Sequence, residues 1–137
     1  MKKEQISLAL ETNQASLLKL VAHPVRIAIL KIIRQEEACV CHMEAILGYR
    51  QAYLSQQLAI LRQSNIIVDR RDGWNIYYQI QDKSILQLLD LSEKLVGPEK
   101  SKISSKPVRC PCPKCVLKNS EEPCCEETEK ESVHAND

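Results

Sequence analysis

The sequence predicts a mainly α protein with one β-hairpin, in the element order of a winged helix-turn-helix. Apolar residues recur at helical spacing in the first two thirds of the chain and again after Lys83. Gly48 separates two short helical segments, the second rich in glutamine. Two β-prone runs follow, joined at Asp72-Gly73, a strong hairpin signal. With 137 residues, 44% of them hydrophobic, the chain can build one core without disulfide staples.

Taken in order, Glu4 to Ala22 spaces Ile6, Leu8, Leu10, Leu17, Leu18 and Val21 as a helix does. His23-Pro24 breaks that helix, and Pro24 suits the first position of the next. Val25 to Gln35 is apolar nearly all round, which predicts a helix at the centre of the core. A third helix is expected from Cys39 to Leu47, capped by Gly48 in the left-handed conformation. A fourth, Arg50 to Ser64, sets Leu54, Leu58 and Leu61 on one stripe and Ala52, Gln56 and Gln63 on the other face. Ile66 to Arg71 and Trp74 to Ile80 form the hairpin, and Lys83 to Val96 is a last amphipathic helix ended by Gly97-Pro98. No internal repeat is present.

Charge and composition divide the chain near residue 100. Residues 1–109 carry 16 basic against 11 acidic side chains, and residues 110–137 carry 3 against 7. A mildly basic body with an acidic tail suits a nucleic-acid binder. The expected division is a DNA-binding and dimerisation domain over 1–99 and a Cys-rich, largely disordered tail over 100–137. Without an apolar run of signal-peptide or membrane length, a cytoplasmic location is expected. There the seven clustered cysteines argue for metal or redox chemistry over structural disulfides.

Four stretches, AHPVRIAIL, EACVCHM, RQAYLSQQLAILRQSNII and DRRDGWNIYYQI, resemble the ArsR/SmtB family of metal-sensing repressors, in the family's order and over about residues 14–97. The resemblance implies a homodimer joined through the first and last helices. It also implies a palindromic double-stranded operator and release from it by a thiophilic ion.

On the fourth helix, Gln51, Tyr53, Ser55 and Gln56 are the expected base-reading side chains, with Gln57 at the flank. Glutamine can bond adenine bidentately in the major groove. Arg50, Arg62, Arg70 and Arg71 are phosphate candidates, which position without specifying. The bland alternative is an exposed polar face that only meets water. Arg50 stands where the family usually has Ser, so an ordinary side-chain N-cap is missing.

Cys39 and Cys41 match the family's Cys-x-Cys pair. Thiolates select soft ions: As(III) is favoured, with Sb(III), Cd(II), Pb(II) and Cu(I) following. On a regular helix residues i and i+2 lie about 200° apart, so ligation by both is expected to unwind or tilt the first turn. Cys110, Cys112 and Cys115 form C-x-C-x2-C. The tail is long enough to bring one of them to the third helix as a third sulfur, which As(III) needs, or to form a separate site. The bland alternative is a spectator or ion-scavenging tail. Cys124 and Cys125 have no assigned role. His42 replaces the family's usual Asp, and a packed or solvent-facing histidine is expected there. Some members of the family that this chain resembles bind zinc on the last helix through His and carboxylates; Ser84 to Val96 contains no His, so that site is expected to be absent.

Other functions weigh less. A thiol-redox repressor uses the same cysteines, and a metallochaperone is favoured by the tail but not by the helix-turn-helix. An enzyme such as an arsenate reductase lacks its C-x5-R loop here, and no Gly-rich phosphate cradle is present.

Overall fold

The computed structural model describes residues 5–97 together with Ile103 and Cys110. Five helices and three strands follow in the order α1 (Ala9–Val21), α2 (Pro24–Ile32), β1 (Ala38–Cys39), α3 (Val40–Leu47), α4 (Gln51–Gln63), β2 (Ile67–Asp72), β3 (Asn75–Ile80) and α5 (Ser84–Val96). Mainly helical with a small hairpin, this is the predicted class. The expected domain boundary at residue 100 and the tail beyond it lie outside the described residues, Ile103 and Cys110 apart.

The helix starts follow from local chemistry. Pro24 takes the first position of α2, and His23 Nδ1 accepts a hydrogen bond from the Val25 N–H at 3.2 Å. Gly48 ends α3 at φ +75°, a conformation that favours glycine. Three residues later α4 begins, and Arg50 gives it no side-chain cap, as its sequence predicts.

The core fills the space between α2, α3, α4 and one face of the sheet. Ile29, Leu30, Met43, Leu54, Leu58 and Leu61 are wholly buried there. Truncating such a side chain to alanine costs about 2–5 kcal/mol. Helix α5 joins through Ile85 and Leu89, and two ion pairs tie it to Lys31 of α2 and to Arg34 just past the end of α2. Arg34 grips Asp90 with both arms, at 2.6 and 2.7 Å, and this bonding holds the Asp90 carboxyl below its usual range. Helix α1 buries only Val21 fully. Its Leu10, Leu17 and Leu18 and its N-cap Leu8 are exposed, as are Leu91, Leu95 and Val96 of α5.

Two features of the sheet depart from the sequence expectation. The hairpin turn is Gly73-Trp74, since Asp72 already pairs with Asn75. Only Gly73 of the two has positive φ, the pattern of a type II′ turn, so Trp74 stands fully exposed at the tip. The second departure is a third strand. Ala38 and Cys39 pair antiparallel with Tyr78 and Tyr77, giving the order β1-β3-β2. The third helix therefore begins at Val40, one residue later than expected, and Cys39 is extended at φ −87°, ψ 166°.

Strand alternation gives the sheet two different faces. Ala38, Tyr78, Ile80 and Ile67 point to the helical core. Cys39, Tyr77 and Arg70 are cross-strand neighbours in one row on the outer face.

Candidate sensor site and nucleic-acid interface

On that outer face the structure brings three thiols together. Cys39, at the end of β1, and Cys41, in the first turn of α3, lie 2.7 Å apart between sulfurs. Cys110 approaches Cys41 at 3.1 Å and Cys39 at 3.7 Å. Cys39 and Cys110 are buried with Tyr77 in a small cluster of their own, and Cys41 packs on its edge. The ligand atoms of all three lie within 4.8 Å of one another. The expected helix distortion is not needed. Because Cys39 is strand and only Cys41 is helix, the 200° separation never arises, and α3 is intact with both sulfurs turned to one point. Cys112, Cys115, Cys124 and Cys125 lie outside the described residues.

Around the thiols sits a set of residues that the motif did not point to. Tyr77 is nearly buried beside Cys39. The Arg70 guanidinium lies 5.0 Å from the centre of its ring. Arg70 also donates through Nε and Nη2 to the two carboxylate oxygens of Glu37, and these hydrogen bonds raise its pKa further. Cross-strand register would have revealed the row, but only once β1 was known.

The residues expected to read DNA divide into two groups. Gln51, Ser55 and Gln56 are exposed on α4, and Tyr53 is half-buried with its ring 5.3 Å from that of Tyr49. Gln57 is a correction. It is buried rather than flanking, and its Oε1 accepts from Arg26 Nε at 2.8 Å. Arg26 in turn donates to the Leu20 carbonyl oxygen at 2.9 Å, so Gln57 ties α4 to α2 and the end of α1. The sequence held the signal. Leu54, Gln57, Leu58 and Leu61 are i, i+3, i+4 and i+7, the spacing of a buried stripe. Among the arginines, Arg50, Arg62, Arg70 and Arg71 are all exposed. Arg62 pairs with Asp69 at 3.1 Å, which fixes the end of α4 to the hairpin.

Residues 23–68, which hold α2 through the start of β2, match the family model described as bacterial regulatory protein, arsR family. The chain is 38% identical over 79 residues to a biofilm growth-associated repressor of Agrobacterium fabrum, covering 58% of this chain and 68% of that one. The chain belongs to the arsR family. Two solved structures agree with this arsR-family fold. NolR from Sinorhizobium fredii is 30% identical with a TM-score of 0.62, covering 72% of this chain and all of that one. AntR, an antimony-specific transcriptional repressor, is 29% identical with a TM-score of 0.60, covering 70% and 87%. This arsR-family chain is a DNA-binding transcriptional repressor and not an enzyme. Among its described residues no helix is long and apolar enough to cross a membrane.

Proposed function

We propose that this repressor leaves its operator when a thiophilic metal or metalloid ion binds Cys39, Cys41 and Cys110. The observation that carries the reading is the convergence of three thiol sulfurs, two of them buried, on one point beside the hairpin. Soft thiolates select soft ions, and a three-sulfur set suits trivalent As(III) or Sb(III) before Cd(II) or Pb(II). Similarity to an antimony-specific repressor supports the same preference. Among the described residues, Cys110 is the tail cysteine that meets the Cys-x-Cys pair.

On the DNA side, Gln51, Tyr53, Ser55 and Gln56 meet base edges in the major groove, and Arg50, Arg62, Arg70 and Arg71 meet phosphates. A homodimer built on the exposed apolar faces of α1 and α5 presents two such helices to a palindromic site in the cytoplasm.

The test is operator binding titrated with As(III), Sb(III), Cd(II), Pb(II) and Zn(II) under reducing conditions. Wild type should lose about 5–150-fold in affinity with the trivalent ions, an ordinary coupling energy. Cys39→Ser, Cys41→Ser and Cys110→Ser should each bind operator and fail to release it. Release of a Cys39/Cys41 double mutant by As(III) would defeat this site. The close approach of Cys41 to both other sulfurs favours a second reading, thiol oxidation. Release by a mild oxidant without any ion, reversed by a thiol reductant, would favour that one instead.

A further inference from the structure

The outer face of the sheet links the thiol cluster to the hairpin through a short chain of contacts. Cys39, Tyr77 and Arg70 are neighbours across β1, β3 and β2, with Tyr77 in the middle. Glu37 stands just before β1, and its carboxylate reaches Arg70 on this face. Tyr77 packs on Cys39 and Cys110 at one edge and under the Arg70 guanidinium at the other. Glu37 accepts from Nη2 and Nε of that guanidinium through Oε1 and Oε2. Asp72 lies 3.9 Å from its remaining nitrogen.

An exposed ion pair is usually worth little, because water and salt screen it. This one is different in geometry. The carboxylate is bidentate, and the guanidinium is stacked on a ring that is itself buried. A planar fork can hold one such partner at a time. A carboxylate and a DNA phosphate present the same two-oxygen edge, so they compete for it.

Resting on the inducer-site reading above, we infer that Glu37 and Tyr77 withdraw Arg70 from operator phosphate when the three sulfurs converge. The ion is held by residues at one end of the row. Fixing Cys39 fixes the two-residue strand that Glu37 directly precedes, and fixing Cys110 fixes the buried edge of Tyr77. Both partners of Arg70 are then in place, and a phosphate contact is lost at the hairpin. Glu37 is thus a positioning residue that acts on DNA through Arg70. Arg71, the next residue on β2, points to the other side of the sheet and is not part of this row.

The experiment is a double-mutant cycle on full-length protein with Glu37→Gln, Arg70→Ala and the pair together. Operator affinity is measured against salt concentration, with and without As(III). Binding of As(III) is followed directly by near-ultraviolet thiolate absorbance, so that each variant's thiol site is known to be intact. Without ion, Glu37→Gln should tighten operator binding and steepen the salt slope by up to about 0.9, the share of one phosphate. In the Arg70→Ala background the same change should do nothing. With ion, Glu37→Gln should still bind As(III) while its loss of operator affinity shrinks well below that of wild type. Arg70→Lys, which keeps the charge without the fork, should also release less fully than wild type.

An equal gain from Glu37→Gln in the Arg70→Ala background would mean simple removal of a negative charge, and would overturn the inference. So would release by As(III) as complete in Glu37→Gln as in wild type. If wild type itself binds operator and ignores the ion, the inducer reading fails and the coupling with it. The ion-free arm then still decides whether Glu37 and phosphate compete for Arg70.

Discussion

Gln57 accepts the Arg26 guanidinium inside the contact between α2 and α4, while Gln56 beside it faces solvent. One turn of helix thus places two chemically identical side chains in opposite roles. Replacing Gln57 by Ala leaves a half-buried guanidinium short of an acceptor, which costs about 1–3 kcal/mol of stability. Thermal or urea denaturation should register that loss, and the preference among operator variants should be unchanged. Gln56→Ala should do the reverse. Its melting should match wild type, since exposed substitutions usually stay within about 0.5 kcal/mol. Binding to a set of operators changed one base pair at a time should show about 1–3 kcal/mol of discrimination lost at one position. Uniform weakening across that set would remove Gln56 from the base-reading face.

Between β1 and α3 the chain changes from extended to helical within one residue, and that change sets the thiol geometry. Since Cys39 lies outside the helix, an ion can be held without breaking any helical hydrogen bond. Far-ultraviolet circular dichroism at 222 nm should therefore be unaltered when As(III) saturates the thiol site. A loss equal to about one helical turn would restore the unwinding mechanism. The helices, the Gly48 cap and the hairpin were legible because each rests on local signals: apolar period, a left-handed glycine, and β-prone runs about a turn. Strand β1 was not. Its two residues, Ala38 and Cys39, have no strong strand preference, and they pair with Tyr77 and Tyr78 far along the chain. The Cys-x-Cys motif pointed to two of the three thiols that cluster, but the approach of Cys110 depends on tertiary placement. Its spacing allowed Cys110, Cys112 or Cys115 equally. The turn moved by one residue because strand pairing reaches Asp72 and Asn75, which leaves Gly73 at the position that needs positive φ.

At the scale of the whole molecule, the distribution of exposed apolar side chains is lopsided. Leu10, Leu17 and Leu18 on α1, its N-cap Leu8, and Leu91, Leu95 and Val96 on α5 are uncovered, while every leucine of α2 and α4 is buried and their isoleucines are buried or half-buried. Two helices with so much apolar surface and so few buried residues fit poorly as the outside of a monomer. They fit a twofold interface, in which one patch on each protomer meets its copy. Leu95→Glu tests this directly. The side chain is 88% exposed in a single chain, so the substitution should leave the protomer's own core intact. In a dimer it sets two carboxylates into an apolar contact, where an unpaired charge is strongly disfavoured. Sedimentation equilibrium should show the wild type as a dimer and the variant as a folded monomer, with circular dichroism unchanged. Operator affinity should fall to the level of non-specific DNA, because a single recognition helix reads only one half-site. A variant that remains dimeric at micromolar concentration and binds operator like wild type would place the interface elsewhere. It would also leave the apolar faces of α1 and α5 to some other partner.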